Sequence, residues 1–399
     1  MNSLKFNKKI NEEIANRISN CVITEENSLD LSNLDIEEIP NLDGLFHLKH
    51  LNLSNNKIVK IHRLSILPQL SQLDLSENQI SKIENLGELS QLSQLNLSNN
   101  QISEIDNLSQ LTQISQLNLN KNQISKIENL EQLNQLSHLN LNDNLILKID
   151  GLSQLAQLSN LDLGENQISK IENLEQLSQL THLNLSKNQI SEIENLSQLS
   201  QLLHLDLKIN KINKISGLEK LNQLSALILG RNKIYEIAGL NQLTQLKVLE
   251  INENKIIKIE NLEELTQLKT LDLSGNHISK IEGLEELNLL SRLNLMSNNI
   301  IKIEGLKNLI ELNNLYLSGN EIKKIENLDT LKKLESILLS SNKINKIENL
   351  NELKKLKRLY LRNNNIESLK DIDTLTTLTD LILSSALLHK DLKDNTLLI

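Results

Sequence analysis

One 22-residue pattern of apolar residues returns along nearly the whole chain, and it constrains the fold more than any other feature. Its form is L-x-x-L-x-L-x-x-N-x-I-x-x-I-x-x-L-x-x-L-x-x. It runs without insertion through fifteen full repeats, as in "LSQLNLSNNQISEIDNL" at residues 92–108. A fixed period of this length is typical of solenoids, in which each repeat packs on its neighbours. The 399 residues therefore predict one stacked array rather than several globular domains.

The spacing inside the repeat predicts a short strand followed by a tight return. Leucines two apart, such as Leu51 and Leu53, point to one side of a strand, while His50, Asn52 and Ser54 point to the other. The apolar residues three apart that follow fit 3₁₀ or loosely helical turns. The aliphatic side chains of one repeat cannot offset the entropy of ordering it, so stacking and hydrogen bonds between strands must supply the stability.

A single polar position interrupts the apolar pattern, and it holds Asn in fifteen consecutive repeats from Asn56 to Asn364. A polar side chain at an apolar corner must be hydrogen-bonded to be tolerated inside the fold. An amide carries both donors and an acceptor, so stacked Asn side chains can satisfy backbone groups layer after layer. We predict a structural ladder at this position and no catalytic role.

This repeat resembles the 22-residue class of leucine-rich repeats typified by the Sds22-like regulatory subunit of protein phosphatase 1. The resemblance covers roughly residues 29 to 385, and "KIENLEELTQLKTLDLSGNHISKIEGLEEL" at 258–287 is especially close to that subunit. Internalin-like bacterial proteins share the period. For the fold, the resemblance implies an α/β leucine-rich-repeat solenoid, a curved horseshoe with a parallel β-sheet on the concave face and 3₁₀ or loop returns on the convex face. For function, it implies binding of a partner protein, specifically a phosphatase catalytic subunit.

The start of the chain departs from the pattern, as the end of a solenoid must in order to cover an apolar face. Residues 1–28 are predicted to form a helical cap. Within it, Ile10, Ile14 and Ile18 are four residues apart and form one apolar stripe that suits the first layer of the stack.

The solenoid itself is predicted to span residues 29–385. It begins with a degenerate repeat that has Leu34 at the Asn position, continues through the fifteen full repeats and ends in a partial one. Residues 386–399 abandon the pattern and are predicted to form a C-terminal cap or tail, with a dimer contact as the alternative.

Composition and charge narrow the class of function. The net charge is −9 with both signs mixed along the chain, which argues against general nucleic-acid binding. No run approaches the ~18 apolar residues of a membrane span, and the charged N-terminus has no apolar signal segment. Cys21 is the single cysteine, so there is no disulfide framework. We expect a cytoplasmic monomer, or a nuclear one in a eukaryote, that binds neither nucleic acid nor membrane.

Catalytic and nucleotide-binding motifs are missing from the sequence. It contains no G-x-x-x-x-G-K-[ST], G-x-S-x-G, H-E-x-x-H or C-x-x-C. A column of histidines, His138, His182 and His204, is a candidate metal site, but no cysteine or paired carboxylate completes a tetrahedral set in that column. We expect surface histidines there, no enzymatic activity, and no cofactor or metal.

The positions that flank the strand leucines hold the candidate binding site, since leucine-rich repeats bind partners with side chains that point out of the sheet. These positions are small and polar before about residue 206 and become large or charged after it. Tyr316, Leu338 and Tyr360 share one column on successive strands and predict a continuous row about 10 Å long. The predicted partner-binding residues of the concave face are Ile228, Val248, Glu250, Arg292, Met296, Tyr316, Leu338, Arg358, Tyr360 and Arg362.

The alternative for this cluster is drift, because exposed positions of a stable solenoid vary and Leu and Tyr favour strands. If the cluster binds, its arginines favour an acidic protein surface or a phosphorylated segment. The leading prediction is thus a non-enzymatic interaction scaffold, with phosphatase regulation as its specific form. Two alternatives stay open: a structural or adhesion array of the internalin type, and the repeat part of a larger signalling protein.

Overall fold

A computed structural model describes residues 2–24, 26–367 and 375–383, with side chains described from residue 11 onward. The chain forms two compact units, Met1–Ile190 and Ser191–Ile399. Each unit is a stack of three-residue parallel strands joined by turns and loops. The predicted C-terminal cap or tail, 386–399, lies outside the described residues.

The first unit contains one helix, α1 (Asn2–Thr24), and a parallel sheet. Each strand pairs with the one that follows it in sequence, in a register of 22 residues, so that Leu29 lies opposite Leu51. The strands of this unit are β1 (Ser28–Asp30), β2 (His50–Asn52), β3 (Gln72–Asp74), β4 (Gln94–Asn96), β5 (Gln116–Asn118), β6 (His138–Asn140), β7 (Asn160–Asp162) and β8 (His182–Asn184).

The second unit repeats the same arrangement, and its register also advances by 22 residues from strand to strand, as Leu227 opposite Leu249 shows. Its strands are β9 (His204–Asp206), β10 (Ala226–Ile228), β11 (Val248–Glu250), β12 (Thr270–Asp272), β13 (Arg292–Asn294), β14 (Asn314–Tyr316), β15 (Ser336–Leu338), β16 (Arg358–Tyr360) and β17 (Asp380–Ile382).

Leucine and isoleucine at the pattern positions form the core of both units. Leu51 is 2% exposed and Leu53 is fully buried, while His50 and Asn52 on either side of Leu51 are half-buried. This alternation confirms the predicted period of two, because successive side chains of a strand point to opposite faces. The parallel-sheet solenoid predicted from the sequence is therefore present in each unit.

The returns consist of consecutive single turns. The N–H of Leu67 donates to the carbonyl of Leu64 at 3.0 Å, and the N–H of Leu70 donates to that of Leu67 at 3.1 Å. These are i→i+3 bonds, as the spacing of three predicts. In the described ranges none of these turns continues into a 3₁₀ helix, so the return is the loop form of the prediction.

The recurring Asn forms the predicted ladder. The Asn56 Oδ1 atom accepts hydrogen bonds from the N–H groups of Leu34 and Ile36 at 2.9 and 3.0 Å. Its Nδ2 group donates to the carbonyls of Leu31 and Leu53, both at 2.9 Å. Asn56 thus ties its own repeat to the preceding one, and equivalent Asn residues do the same within each unit. The degenerate first repeat can carry Leu34 because the Asn of the next repeat supplies the acceptor.

A second polar column, which the 22-residue pattern left unassigned, lies at the start of the return. It mostly holds Asn or Gly at positive φ, 57° at Asn85 and 67° at Gly151, and Arg63 takes the same position at 59°. The Asn85 Nδ2 group donates to the carbonyl of Ile61 at 2.7 Å. At Gly151 an added Cβ would stand 2.4 Å from the carbonyl oxygen of Ile127. The left-handed backbone explains the choice, because only Gly and Asn adopt it readily.

Helix α1 packs against the first strand of the sheet. Ile14 and Ile18 are half-buried and Cys21 is 2% exposed, whereas the side chain of Ile10 lies outside the described part of the chain. The Arg17 guanidinium donates to the carbonyl of Asp30 at 3.0 Å and so links the helix to β1. Among the described residues, no helix has both the length and the apolar character that crossing a membrane requires.

Candidate partner-binding surface

Each repeat presents three side chains on the face of the sheet that does not pack against the returns, which we call the open face. In the β2 repeat these are His50, Asn52 and Ser54. Their equivalents in the other repeats form three rows across the strands, which we name the first, middle and last columns, in that order. The alternation of a strand fixes this arrangement, since the two leucines between these residues point inward.

Asn or Asp in the middle column caps the end of its own strand. The Asn52 Oδ1 atom accepts a hydrogen bond from the N–H of Ser54 at 3.0 Å, and Asp74 accepts one from Ser76 at 2.8 Å. This is the Asx turn, in which a short polar side chain binds the backbone two residues on. The capping residues are Asp30, Asn52, Asp74, Asn96, Asn118, Asn140, Asp162, Asn184, Asp206, Asp272 and Asn294.

Neighbouring middle-column residues also bind one another in the first unit. The Asn96 Nδ2 group donates to Asp74 at 3.1 Å, and the Asn184 Nδ2 group donates to the Asp162 carboxylate at 2.9 Å. The polar groups of this open face are therefore largely used within the protein. That explains in physical terms why the first unit offers few anchors to a partner.

In the second unit the middle column loses its Asx residue on six strands. Four of these strands are consecutive, and the register places Tyr316 beside Leu338, Leu338 beside Tyr360, and Tyr360 beside Ile382. We call these four residues the apolar strip. Strands about 4.8 Å apart make it roughly 14 Å long. The six replacements are Ile228, Glu250, Tyr316, Leu338, Tyr360 and Ile382.

Sequence reasoning missed Ile382, which is 41% exposed and extends the strip by one strand. Its position was readable, since it lies 22 residues after Tyr360. The predicted set of binding residues ended at Arg362 because the sequence departs from the repeat pattern near the C-terminus.

Arginines border the apolar strip on both sides. The Arg292 guanidinium carbon lies 5.0 Å from the centre of the Tyr316 ring, and its Nη2 group donates to the Tyr316 hydroxyl at 3.2 Å. This stacking holds the guanidinium in place through a cation–π contact. Arg358 and Arg362 are exposed at the two ends of the β16 segment, on either side of Tyr360.

The structure separates the other predicted residues from the strip. Ile228 lies beside Glu250 in register, but the next two middle-column residues, Asp272 and Asn294, are capping residues that precede Tyr316. Two polar strands therefore divide the predicted residues into two groups on the open face.

The two remaining predicted residues are half-buried and lie in the outer columns. Val248 lies in the first column beside Ala226. Met296 lies in the last column, and its N–H is capped by Asn294 at 3.2 Å. Neither is part of the apolar strip.

Glu250 is an acid in a partly desolvated position. Burial raises its pKa, and the carboxylates of Asp272 and Asp206 raise it further, while the cations Lys208 and Arg292 act in the opposite direction. Desolvation and like charges both disfavour the ionised form. The surroundings of Ile228 are thus acidic, in contrast to the cationic border of the apolar strip.

The histidine column forms local hydrogen bonds. The His138 Nδ1 atom lies 2.8 Å from the hydroxyl of Ser137, and the His182 Nδ1 atom lies 2.9 Å from that of Thr181. Within residues 2–24, 26–367 and 375–383, no group of three or more His, Cys, Asp or Glu side chains is placed to hold a metal ion.

Comparison with known families agrees with this geometry. The family model described as leucine-rich repeat matches residues 68–170 and 308–394. A model for two copies of the repeat matches 46–88 and 266–308, and a single-repeat model matches 179–199. Together these ranges cover more than half of the chain. The chain belongs to the leucine-rich-repeat proteins. None of the three matching models describes an enzyme family, and the search among curated proteins gives no match.

Solved structures of other leucine-rich-repeat proteins share the fold. A leucine-rich-repeat protein of Leptospira interrogans is 27% identical, with a TM-score of 0.75 over 92% of this chain and 97% of that chain. The internalin InlF of Listeria monocytogenes is 26% identical, with a TM-score of 0.60 over 82% and 85%.

A third structure is the ectodomain of the Arabidopsis thaliana receptor kinase GASSHO1/SCHENGEN3, in complex with CASPARIAN STRIP INTEGRITY FACTOR 2. It is 25% identical, with a TM-score of 0.61 over 87% of this chain and 49% of that chain. The family matches and these similarities identify this chain as a leucine-rich-repeat protein, and its own strand register gives the period of 22 residues. One of these three structures is an internalin. The three similarities do not distinguish the Sds22-like class from other leucine-rich repeats.

Proposed function

We propose that this leucine-rich-repeat protein binds a partner protein through the apolar strip and its bordering arginines. Leucine-rich-repeat scaffolds typically serve protein–protein interaction, and the solved relatives include one in complex with a ligand. The observation that carries the proposal is the loss of the Asx cap on four consecutive strands of the second unit.

This loss argues against drift as the origin of the strip. A middle-column Asn or Asp makes a hydrogen bond to its own backbone, worth about 0.5–1.5 kcal/mol net. The position is therefore not free to vary, although its side chain is solvent-accessible. Each replaced cap whose N–H finds no other acceptor forgoes about 0.5–1.5 kcal/mol. Partner binding gives a reason for that loss, whereas drift at a neutral position does not.

The residues that replace the caps suit a binding site. Tyrosine and arginine are over-represented among the residues that dominate binding energies. Arg292 is already held against Tyr316, so little of its conformational entropy remains to be lost on binding. The strip is also continuous across its strands, as an anchor for one partner segment requires.

A triple substitution, Tyr316→Asn, Leu338→Asn and Tyr360→Asn, tests this proposal in the full chain. Asn is the residue that other repeats have at this position, so the variant regains caps and is expected to fold. Crosslinking followed by pull-down from the native cells is expected to recover a partner with the wild type and to lose it with the variant. Identical partners for both proteins would refute the strip as the binding site.

A matched control changes three residues of the first column in the first unit, Gln94→Ala, Gln116→Ala and His138→Ala. These positions do not cap a strand and belong to the first unit. The control is expected to retain the partner. Loss of the partner in the control as well would show that the whole open face binds, rather than the strip.

The specific partner that we propose is a phosphatase catalytic subunit, on the resemblance to Sds22-like repeats. The material recovered with the wild type is expected to show phosphatase activity that the triple Asn variant lacks. Recovery of a partner without phosphatase activity would remove this assignment and leave the general proposal intact.

An adhesion array of the internalin type is the second candidate. The likeness to the Listeria internalin supports it, since that structure aligns with 82% of this chain. We propose the cytoplasm as the location, and fractionation of the native cells separates the two candidates. Intact protein outside the cells would favour the adhesion array.

A further inference from the structure

Two backbone N–H groups beside the apolar strip have no acceptor among the described residues. They belong to Ser318 and Arg362, which follow Tyr316 and Tyr360 at the place where an Asx oxygen normally caps the strand. In the part of the chain that the structure describes, no protein atom accepts a hydrogen bond from either group. The equivalent N–H of Ser340 donates to the Ser318 hydroxyl instead, at 3.1 Å. An unmet donor beside an apolar surface is a natural contact for a ligand oxygen.

The arginines around the strip start from well-separated backbone positions. Arg292 and Arg358 lie on strands three apart, about 14 Å, and Arg358 and Arg362 are four positions apart in the chain, about 13 Å. A single phosphate is held by donors that meet at one point. This spread fits several separate carboxylates instead.

Nearby acids are mostly occupied by lysines. Glu335 pairs with Lys357 at 2.9 Å, and Glu311 pairs with Lys333 at 2.6 Å. Asp380 lies opposite Arg358 in register and accepts a hydrogen bond from the Thr379 hydroxyl at 3.2 Å. The cationic border therefore keeps charge that a partner can neutralise.

We infer that the partner contributes an extended acidic segment. The apolar side chains of this segment lie on the apolar strip, and its carboxylates pair with Arg292, Arg358 and Arg362. Its oxygens accept hydrogen bonds from the N–H groups of Ser318 and Arg362. This rests on the proposed function and names the chemistry of the partner. Four strands at about 4.8 Å match roughly four to five residues of extended chain that crosses them.

Labelled ten-residue peptides test the charge requirement by fluorescence polarisation with the full chain. The probes alternate Leu with Asp, Lys or Ser, and a fourth carries one phosphoserine in the Leu/Ser background. The Asp peptide is expected to bind, with affinity that falls as salt rises, and the Lys peptide is not. No binding by the Asp peptide, or tighter binding by the phosphoserine peptide, would overturn the inference.

The arginines are tested by Arg292→Gln, Arg358→Gln and Arg362→Gln together. The affinity for the Asp peptide is expected to fall roughly tenfold or more, since each charge-assisted contact is lost. The matched control is Arg231→Gln, Lys258→Gln and Lys280→Gln, which removes the same charge from exposed ion pairs of the same unit. An equal loss in the control would reduce the effect to net charge and contradict the assigned contacts.

The backbone donor is tested by comparing Tyr360→Ala with Tyr360→Asn. Both variants lose the ring, but only Asn can cap the N–H of Arg362. The Ala variant is expected to bind the Asp peptide several-fold more tightly than the Asn variant. Equal affinity would exclude the N–H contact.

Failure of the acidic segment and failure of the proposed function give different experimental results. If the triple Asn variant loses the native partner but the wild type binds peptides of either charge equally, only the acidic segment is overturned. Retention of the native partner in that variant would overturn the proposed function.

Discussion

Replacing Asn298 by Ala is expected to destabilise the second unit strongly, because this side chain makes four hydrogen bonds while only 8% exposed. Its Oδ1 atom accepts from the N–H of Ile278 at 3.0 Å. Its Nδ2 group donates to the carbonyls of Leu273, Leu295 and Met296 at 3.0, 3.2 and 3.2 Å. At about 1 kcal/mol for each bond, the free energy of unfolding is expected to fall by about 3–5 kcal/mol.

The adjacent residue supplies the control. Asn299 is exposed, and its backbone N–H, which donates to the carbonyl of Ile278 at 2.8 Å, is untouched by a change of side chain. Asn299→Ala is expected to change the unfolding free energy by less than about 0.5 kcal/mol. The two substitutions therefore lie one position apart in the chain, but their expected effects on the free energy of unfolding differ by several kcal/mol.

Urea denaturation followed by far-UV circular dichroism measures the difference between the two variants. Repeat arrays can open locally, so the exchange rate of the Ile278 amide proton is measured as well. That proton is expected to lose protection in Asn298→Ala and to keep it in Asn299→Ala. If the two variants unfold within about 1 kcal/mol of each other, the ladder contributes little to stability and the reasoning is wrong.

Three further predictions concern single positions. Gly151→Ala is expected to cost about 1–3 kcal/mol, because its Cβ meets the carbonyl of Ile127 at positive φ. Gly151→Asn has the same Cβ but is expected to cost less, because Asn tolerates positive φ and its Nδ2 group can donate to that carbonyl, as Asn85 does to Ile61; thermal unfolding that ranks Ala above Asn would contradict this. Glu250→Gln is expected to stabilise the protein at pH 7. Burial and the nearby Asp272 raise the Glu250 pKa in the folded state, so wild-type stability falls as pH rises through that pKa. The difference from Gln should vanish in acid, and a difference that grows in acid would reverse the sign of the argument. Tyr360→Asn is expected to be about 0.5–1.5 kcal/mol more stable than Tyr360→Ala, because Asn restores a cap; equal melting temperatures would count against the capping role.

Much of the architecture was predictable because the same physical problem recurs every 22 residues. Leu51 and Leu53 must face inward and Asn56 must be hydrogen-bonded, and both conclusions follow from one repeat and hold in the next. The second polar column escaped prediction because Asn85 and Gly151 share no side-chain chemistry. Only their positive φ unites them, and φ is a property of the folded backbone.

The binding surface was predictable in part. The columns flanking the strand leucines followed from the alternation of a strand, so Tyr316, Leu338 and Tyr360 were placed side by side before the register was known. The sequence prediction also included Ile228, and only the register shows the two capping strands that lie between Glu250 and Tyr316.

The sequence by itself determined that this protein is a leucine-rich-repeat solenoid, since a strict period leaves stacking as the way to bury its leucines. The tertiary structure decided which hydrogen bonds the polar residues between the leucines make. The sequence does not distinguish a solvent-exposed Asn from an Asn that caps a strand. Only the folded structure shows that Asn52 accepts a hydrogen bond from the N–H of Ser54. For that reason the apolar strip stands out only once the fold shows that its residues lack the Asx hydrogen bond that other strands have.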